Sequence, residues 1–302
     1  MEPLRHAYLI MTHGSFPILE KQLRFLDSEN ADFYVHVDAK TRGVDFAALA
    51  AIPRRSRVVF TERLDVRWGA FSQVEGELVL LRAAVEGRYD YYHLLSGVDV
   101  PLKSREYIER YFSERNGTNF IKFQSPEISA RDLARVKYYY PLQELNVRSR
   151  WLRVLLRELT VLPQKLAGVD RTKKAPGIVF HKGTNWFSIT DAMARYVLER
   201  EPKIRAFCRQ GLCTDEVFLQ TAAASSPYRD TLAAHAFEND FRACCRYIDW
   251  ERGSPYTFTD SDFDELAAAG PDFLFARKFD YDRYPGVVDR LFARFGGEGG
   301  EG

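Results

Sequence analysis

Residues 91–104, YYHLLSGVDVPLKS, hold one structural unit. An aromatic and apolar run of strand character closes on a Ser96-Gly97 turn. A single carboxylate, Asp99, follows, and Ser104 then stands as N-cap of a helix over SREYIERYFSER. Strand, tight turn and capped helix in this order predict one βα step of a sheet layered with helices.

The same step repeats on both sides. HAYLIMTH reads as a strand and FPILEKQLRFLDS as an amphipathic helix, with Ile18, Leu19, Leu23 and Leu26 at helical spacing. DFYVHVDA, SRVVFTE and TNFIKF read as further strands. VDFAALAAI is a short helix, and SQVEGELVLLRAAVEGR a long one with Ser72 as N-cap. This alternation over the first 125 residues predicts an α/β fold with a mostly parallel sheet flanked by helices. Ligands of such sheets bind beyond the carboxyl ends of the strands, here His13-Gly14, His36-Val37-Asp38 and Ser96-Gly97-Val98-Asp99.

From about Ala130 to Lys174 the pattern breaks into a helical, basic insertion. Residues 131–174 carry eleven Lys and Arg against four Asp and Glu, with an aromatic KYYYP cluster. It reads as a solvated basic face or as a lid facing an anionic or sugar-rich partner, with peripheral membrane contact through the same segment. After it, GIVFHKGTNWFSIT returns to strand character, and DAMARYVLER and TDEVFLQTAAA read as helices. We expect one domain over residues 1–295, with a nucleotide-binding half at about 7–125, the insertion at about 126–175 and a catalytic half at about 176–285. GGEGGEG, 296–302, is expected as a disordered tail.

Composition narrows the classes. Forty-three basic against forty-two acidic residues leave no global field for nucleic acid. Runs such as ELVLLRAAV are too short to span a bilayer, and Met1–His6 has no signal-peptide character. Cys208, Cys213, Cys244 and Cys245 form no dense framework and read as buried thiols, so a cytoplasmic protein is expected, with the inner membrane face as its one membrane contact. No Gly-x-Gly-x-x-Gly, Walker loop, Gly-x-Ser-x-Gly elbow or zinc spacing is present.

What remains are carboxylates, aromatics and cations at strand ends. Asp38 can contact a ribose or uracil edge or cap its own turn. Trp186 in KGTNWFSIT can stack on a sugar face or belong to the core. In CTDEVFLQ, Thr214 reads as an N-cap, and Asp215 and Glu216 either complement a helix dipole or supply a general base. Arg277 and Lys278 in LFARKFD are a surface pair or a phosphate-binding edge. Asp99 is a metal ligand, a substrate contact or a turn residue, and a metal site at this strand end asks for Asp-x-Asp where the chain has Gly97-Val98-Asp99.

AYLIMTH, FYVHVDAK, VRWGAFSQVEGELVLLRAA, YYHLLSGVDVPLKS, KGTNWFSIT, TDEVFLQT and LFARKFD occur here in the order found in the core-2/I-branching β-1,6-N-acetylglucosaminyltransferases, a family that includes peptide O-xylosyltransferases. The resemblance covers about residues 7–282. It implies a GT-A-like fold and metal-independent, inverting transfer from a UDP-sugar to a saccharide or glycoconjugate acceptor. N-acetylglucosamine is the first-choice sugar, with xylose on a glycan or peptide as the alternative and an idle binding domain as the rival of another class. Glu216 resembles the catalytic base and Lys278 the diphosphate cation, with Arg277, Arg246 or Arg252 as its second cation. Asp38, His13, the Trp68 loop and Asp99 fall on the donor side. Asn185, Trp186 and Asp215 fall on the acceptor side, and Asn185 departs from the acid that the xylosyltransferase branch carries there. Gly97 stands where the first metal carboxylate would be, so the resemblance implies no metal and leaves the positive charge to Lys278.

Overall fold

The computed structural model describes residues 3–14, 16–143, 145 and 149–296, and the side chains of Arg150 and Arg153 are not among what it describes. Strands β1 (His6–Thr12), β2 (Ala31–Val37) and β4 (Tyr91–Ser96) are buried almost throughout, as strands covered on both faces must be. Helices α1 (Pro17–Phe25), α3 (Phe71–Val85) and α4 (Arg105–Glu114) supply that cover. The short α2 (Phe46–Ala50) leads to β3 (Val58–Phe60). Ser104 caps α4 by accepting from the Tyr107 amide, as its sequence predicts. Ser72 does not cap α3. The helix starts at Phe71, and the Ser72 hydroxyl accepts the Arg67 amide instead, bracing the loop before the helix.

The main sheet has the order β3-β2-β1-β4-β7-β6, with β6 at Phe120–Phe123 and β7 at Gly183–Thr190. Pairs β1–β2, β1–β4 and β2–β3 are parallel. Strand β7 runs antiparallel to both β4 and β6. The expected parallel arrangement therefore holds over four strands and reverses at β7, which returns from the insertion and enters between β4 and β6. The insertion itself is helical: α5 (Ala130–Lys137), α6 (Arg150–Leu166) and a 3-10 turn at Arg171–Lys174. Arg148 and Glu144 of this segment, and the expected disordered tail from residue 297, lie outside the described residues.

Helices α7 (Asp191–Glu199), α8 (Glu201–Cys208) and α9 (Phe218–Ala224) follow β7. A second sheet joins β5 (Val100–Pro101) to β9 (Phe275–Arg277), with β8 (Arg246–Ile248) beyond it, and α10 (Phe263–Ala267) and α11 (Pro285–Gly296) close that end. Because β5 directly follows the Ser96–Asp99 turn, this small sheet fastens the end of the chain to the end of the fourth main strand. The Phe279 amide completes the join by donating to the Val98 carbonyl at 3.2 Å. Cys208, Cys244 and Cys245 are buried free thiols and Cys213 is half-buried.

Gly97 is dictated by packing. A Cβ at this position would stand 2.2 Å from the Thr12 hydroxyl oxygen and 2.8 Å from its Cβ, so β1 and the turn approach too closely for any side chain. Gly97→Ala is expected to destabilise the protein by about 1–3 kcal/mol. Urea denaturation measures this, and an unchanged midpoint would sink the packing argument.

Candidate active site

Glu216 ends a 3-10 turn, Thr214–Glu216, that follows Cys213 in a left-handed conformation at φ 47°. Thr214 is not an N-cap, because α9 begins only at Phe218; its buried hydroxyl donates to the Cys208 carbonyl at 3.4 Å. One oxygen of Glu216, Oε2, accepts from Arg135 at 2.6 Å and lies 3.5 Å from the Lys182 ammonium. Both cations are themselves anchored. Arg135 reaches Asp132 at 3.4 Å, and Lys182 donates to Gln124 at 2.5 Å. The turn also meets the Trp68 loop: the Cys213 amide donates to the Gly69 carbonyl at 2.8 Å, and Gly69 has φ +75°. Trp68 beside it is 75% exposed, a large aromatic left open to a ligand.

Behind Glu216 lies a pair of buried acids. Asp215 and, on α3, Glu77 are both buried, and Asp215 Oδ1 and both Glu77 oxygens have no hydrogen-bond partner among the described residues. Burial, and then the charge of Glu216, push the Asp215 carboxyl up to about 7. Burial, and then the charge of Asp215, push Glu77 well above the usual carboxylate range. Asp215, expected on the acceptor side, thus has a second buried acid, Glu77, near enough for their charges to act on each other.

Further along β7, beside Trp186, the cations gather around Asp99. Its carboxylate is fully buried and accepts from the Ser96 amide at 2.9 Å and hydroxyl at 2.6 Å. Arg277 Nε lies 3.9 Å away, and the Arg277 guanidinium stacks 4.0 Å from the Trp186 ring centroid. Trp186 is therefore largely buried and covered by an arginine, which makes it a packing partner of the cation in this conformation. Arg246 lies deeper. It is 1% exposed and donates to the carbonyls of Cys244, Leu94 and Phe187 at 2.8, 3.0 and 3.2 Å, so it holds strands together inside the core. Arg252 is committed elsewhere, to Asp249, Asp262 and Glu265. Lys278 is half-buried, and among the described residues no carboxylate comes within ion-pair distance of it. Of the four sequence candidates it alone keeps an uncommitted charge.

The third strand end carries a charge chain. Asp38 caps its own turn through the Lys40 amide at 2.8 Å and pairs with Lys40 Nζ at 2.8 Å. Lys40 continues to Asp65 at 2.6 Å, and Asp65 to Arg67 at 2.6 Å, next to Trp68. His36 accepts the Leu64 amide at 3.0 Å and so steadies the same loop. His13 is exposed at the end of β1. Lys40, Asp65, Arg67 and Trp68 line a cavity of about 970 Å³ together with Arg131, Tyr140, Arg157 and Thr160 of the insertion. Glu216 is not among the residues lining it, although Leu212 of the preceding segment is.

Arg135, Lys182 and Glu77 are site residues that the sequence reading does not single out. Lys182 opens the quoted KGTNW motif, and Arg135 is one cation among eleven in the insertion. Glu77 had a usable signal: an acid at helical spacing between Val74 and Leu81, on a face that is otherwise apolar.

Asp215 predicts a pH signature. Its folded-state value lies above the ordinary 3.8, so the native chain keeps a proton that the unfolded chain has lost, and stability falls as pH rises from about 4 to about 7. Asp215→Asn removes that dependence. Going from pH 5 to pH 8, thermal unfolding of the variant relative to wild type should shift upward by on the order of 2–5 °C. Parallel melting curves would refute the assignment.

The core-2/I-branching enzyme family model matches residues 6–268. Among curated proteins, xylosyltransferase 1 of Homo sapiens is 25% identical over 295 residues, covering 92% of this chain. Xylosyltransferase 2 of Canis lupus familiaris is 26% identical over 295 residues, again over 92% of this chain. The chain spans 29% and 32% of the length of these two relatives. Among solved structures, mouse xyloside xylosyltransferase 1 in its apo form aligns with 11% identity and a TM-score of 0.41, covering 91% of this chain and 97% of that one. With the family model matched over most of its length, the chain belongs to the core-2/I-branching enzyme family.

Proposed function

We propose that this chain is an inverting glycosyltransferase that moves a sugar, N-acetylglucosamine by preference, from a UDP-sugar to a saccharide hydroxyl without a bound metal. The observation that carries this reading is β7. Lys182, immediately before the strand, contacts Glu216, and Trp186, four residues or about 13 Å further along it, packs against Arg277, so one strand spaces the base from the cation group. A single displacement needs those two functions on opposite sides of the anomeric carbon.

In the proposed step, Glu216 removes the proton of the acceptor hydroxyl and the freed oxygen attacks the anomeric carbon from the face opposite the diphosphate. The bond between that carbon and the diphosphate oxygen breaks, and the electron pair leaves with UDP. Arg135 and Lys182 both contact Oε2 of Glu216, which fixes the carboxylate while leaving its other oxygen for the acceptor. Lys278 lies on the leaving side and offsets the charge developing on the diphosphate. The cavity between the Trp68 loop and the insertion has the volume for a nucleotide sugar.

A xylosyl donor is the second reading, favoured by the curated relatives, which are xylosyltransferases. Asn185, in place of an acid before Trp186, weighs against it. UDP release measured over a panel of UDP-sugars separates the two.

Glu216→Gln is expected to lower kcat by about 10²–10⁴-fold with KM for the donor little changed. Near-wild-type kcat would remove the base. Lys278→Met should lower kcat by about 10²-fold or more, as loss of a transition-state charge contact does. Activity should survive EDTA, and its abolition there, restored by a divalent cation, would reverse the metal assignment.

A further inference from the structure

Helix α6 turns its apolar face away from the protein. Trp151, Leu155, Leu159, Leu162 and Leu166 are exposed, from 46% at Leu155 to 82% at Leu166. Their spacings of four, four, three and four residues stack them in one stripe along the helix. The opposite face holds the helix to the body. Val161 is buried, and Gln164 clasps Tyr139 by accepting from its amide and donating to its carbonyl, both at 2.8 Å. The outward stripe is not a frayed edge, since the helix is fixed from behind.

Five large apolar side chains on one exposed face form a patch beyond what a solvated helix carries. Its surroundings are basic. Lys165 on the helix and Lys173 and Lys174 beyond it are exposed, and the sequence of the helix itself carries four Lys and Arg against one acid. An amphipathic helix with Trp and Leu on one side, in a cationic frame, has the chemistry of an interfacial helix on anionic lipid. The same charge disfavours a second copy of the chain as the occupant, because two such segments facing each other would repel. We infer that α6 docks this protein onto an anionic phospholipid surface, with the Leu and Trp stripe at the acyl boundary and the lysines at the headgroups.

This inference is independent of the transfer reaction and is tested without any donor. Flotation of the full chain with vesicles of phosphatidylcholine mixed with phosphatidylglycerol should carry protein upward, at least about tenfold more than vesicles of phosphatidylcholine alone. High salt should weaken the association. The double variant Leu159→Glu, Leu162→Glu should lose about tenfold or more of the binding. Lys165→Gln and Lys173→Gln should cost about fivefold each. All four side chains are exposed, so unchanged circular dichroism and melting are expected alongside. Failure of wild type to float, equal binding to neutral vesicles, or concentration-dependent self-association abolished by the leucine variant would each overturn the proposal.

Discussion

The structure depends on how one buried carboxylate keeps one fully buried cation and one half-buried cation inside the protein. Asp99 is fully buried, Arg277 lies against it, and Arg246, 1% exposed, lies close enough to act on its charge. Burying a guanidinium is costly unless its donors are paired and an opposite charge is near. Arg246 meets this by spending its terminal donors on the carbonyls of Leu94, Phe187 and Cys244, which belong to β4, to β7 and to the residues leading into β8. One side chain thus joins the main sheet to the small one. The Asp99 turn is the counter-charge that makes this tolerable, and the position of Lys278, one residue beyond Arg277, follows from it.

The reversal at β7 has a similar consequence. Were β7 another parallel strand, its residues would run the other way past β4, and Lys182 at its start would lie at the edge opposite the ligand-binding one. In the observed register Tyr91 faces Thr190 and His93 faces Ser188, so the start of β7 extends past the end of β4 toward the ligand-binding edge. Gly183 permits this, since a Cβ there would meet the Lys122 carbonyl at 1.8 Å. Lys182 then projects to Glu216 while Trp186 meets Arg277.

Most of the layering was legible in the sequence because it rests on local signals. Apolar strands, the helical spacing in α1 and the Ser104 cap are each complete within a dozen residues. What was not legible depends on partners distant in the chain. No periodicity encodes strand direction, so the antiparallel β7 could not be read. Ser72 looks like a cap until Arg67, five residues earlier, takes its hydroxyl. Arg246 and Arg277 look alike as candidate phosphate cations, and only the packing of β4, β7 and β9 commits one to the core and places the other beside Trp186. Glu216 was singled out by motif, yet its cations arrive from α5 and from the start of β7, 81 and 34 residues away.

The close approach of Gly97 to Thr12 also constrains the sequences this fold can reach. A side chain at position 97 and a threonine at position 12 occupy the same space, so the two positions are sterically coupled. A lineage or a designer wishing to place a second carboxylate in the Ser96–Asp99 turn must first shrink the residue at the end of the neighbouring strand, and either change alone passes through a poorly packed intermediate. The single acid of this turn is therefore guarded from outside the turn, by Thr12, while the Asp99 carboxylate takes its hydrogen bonds from Ser96.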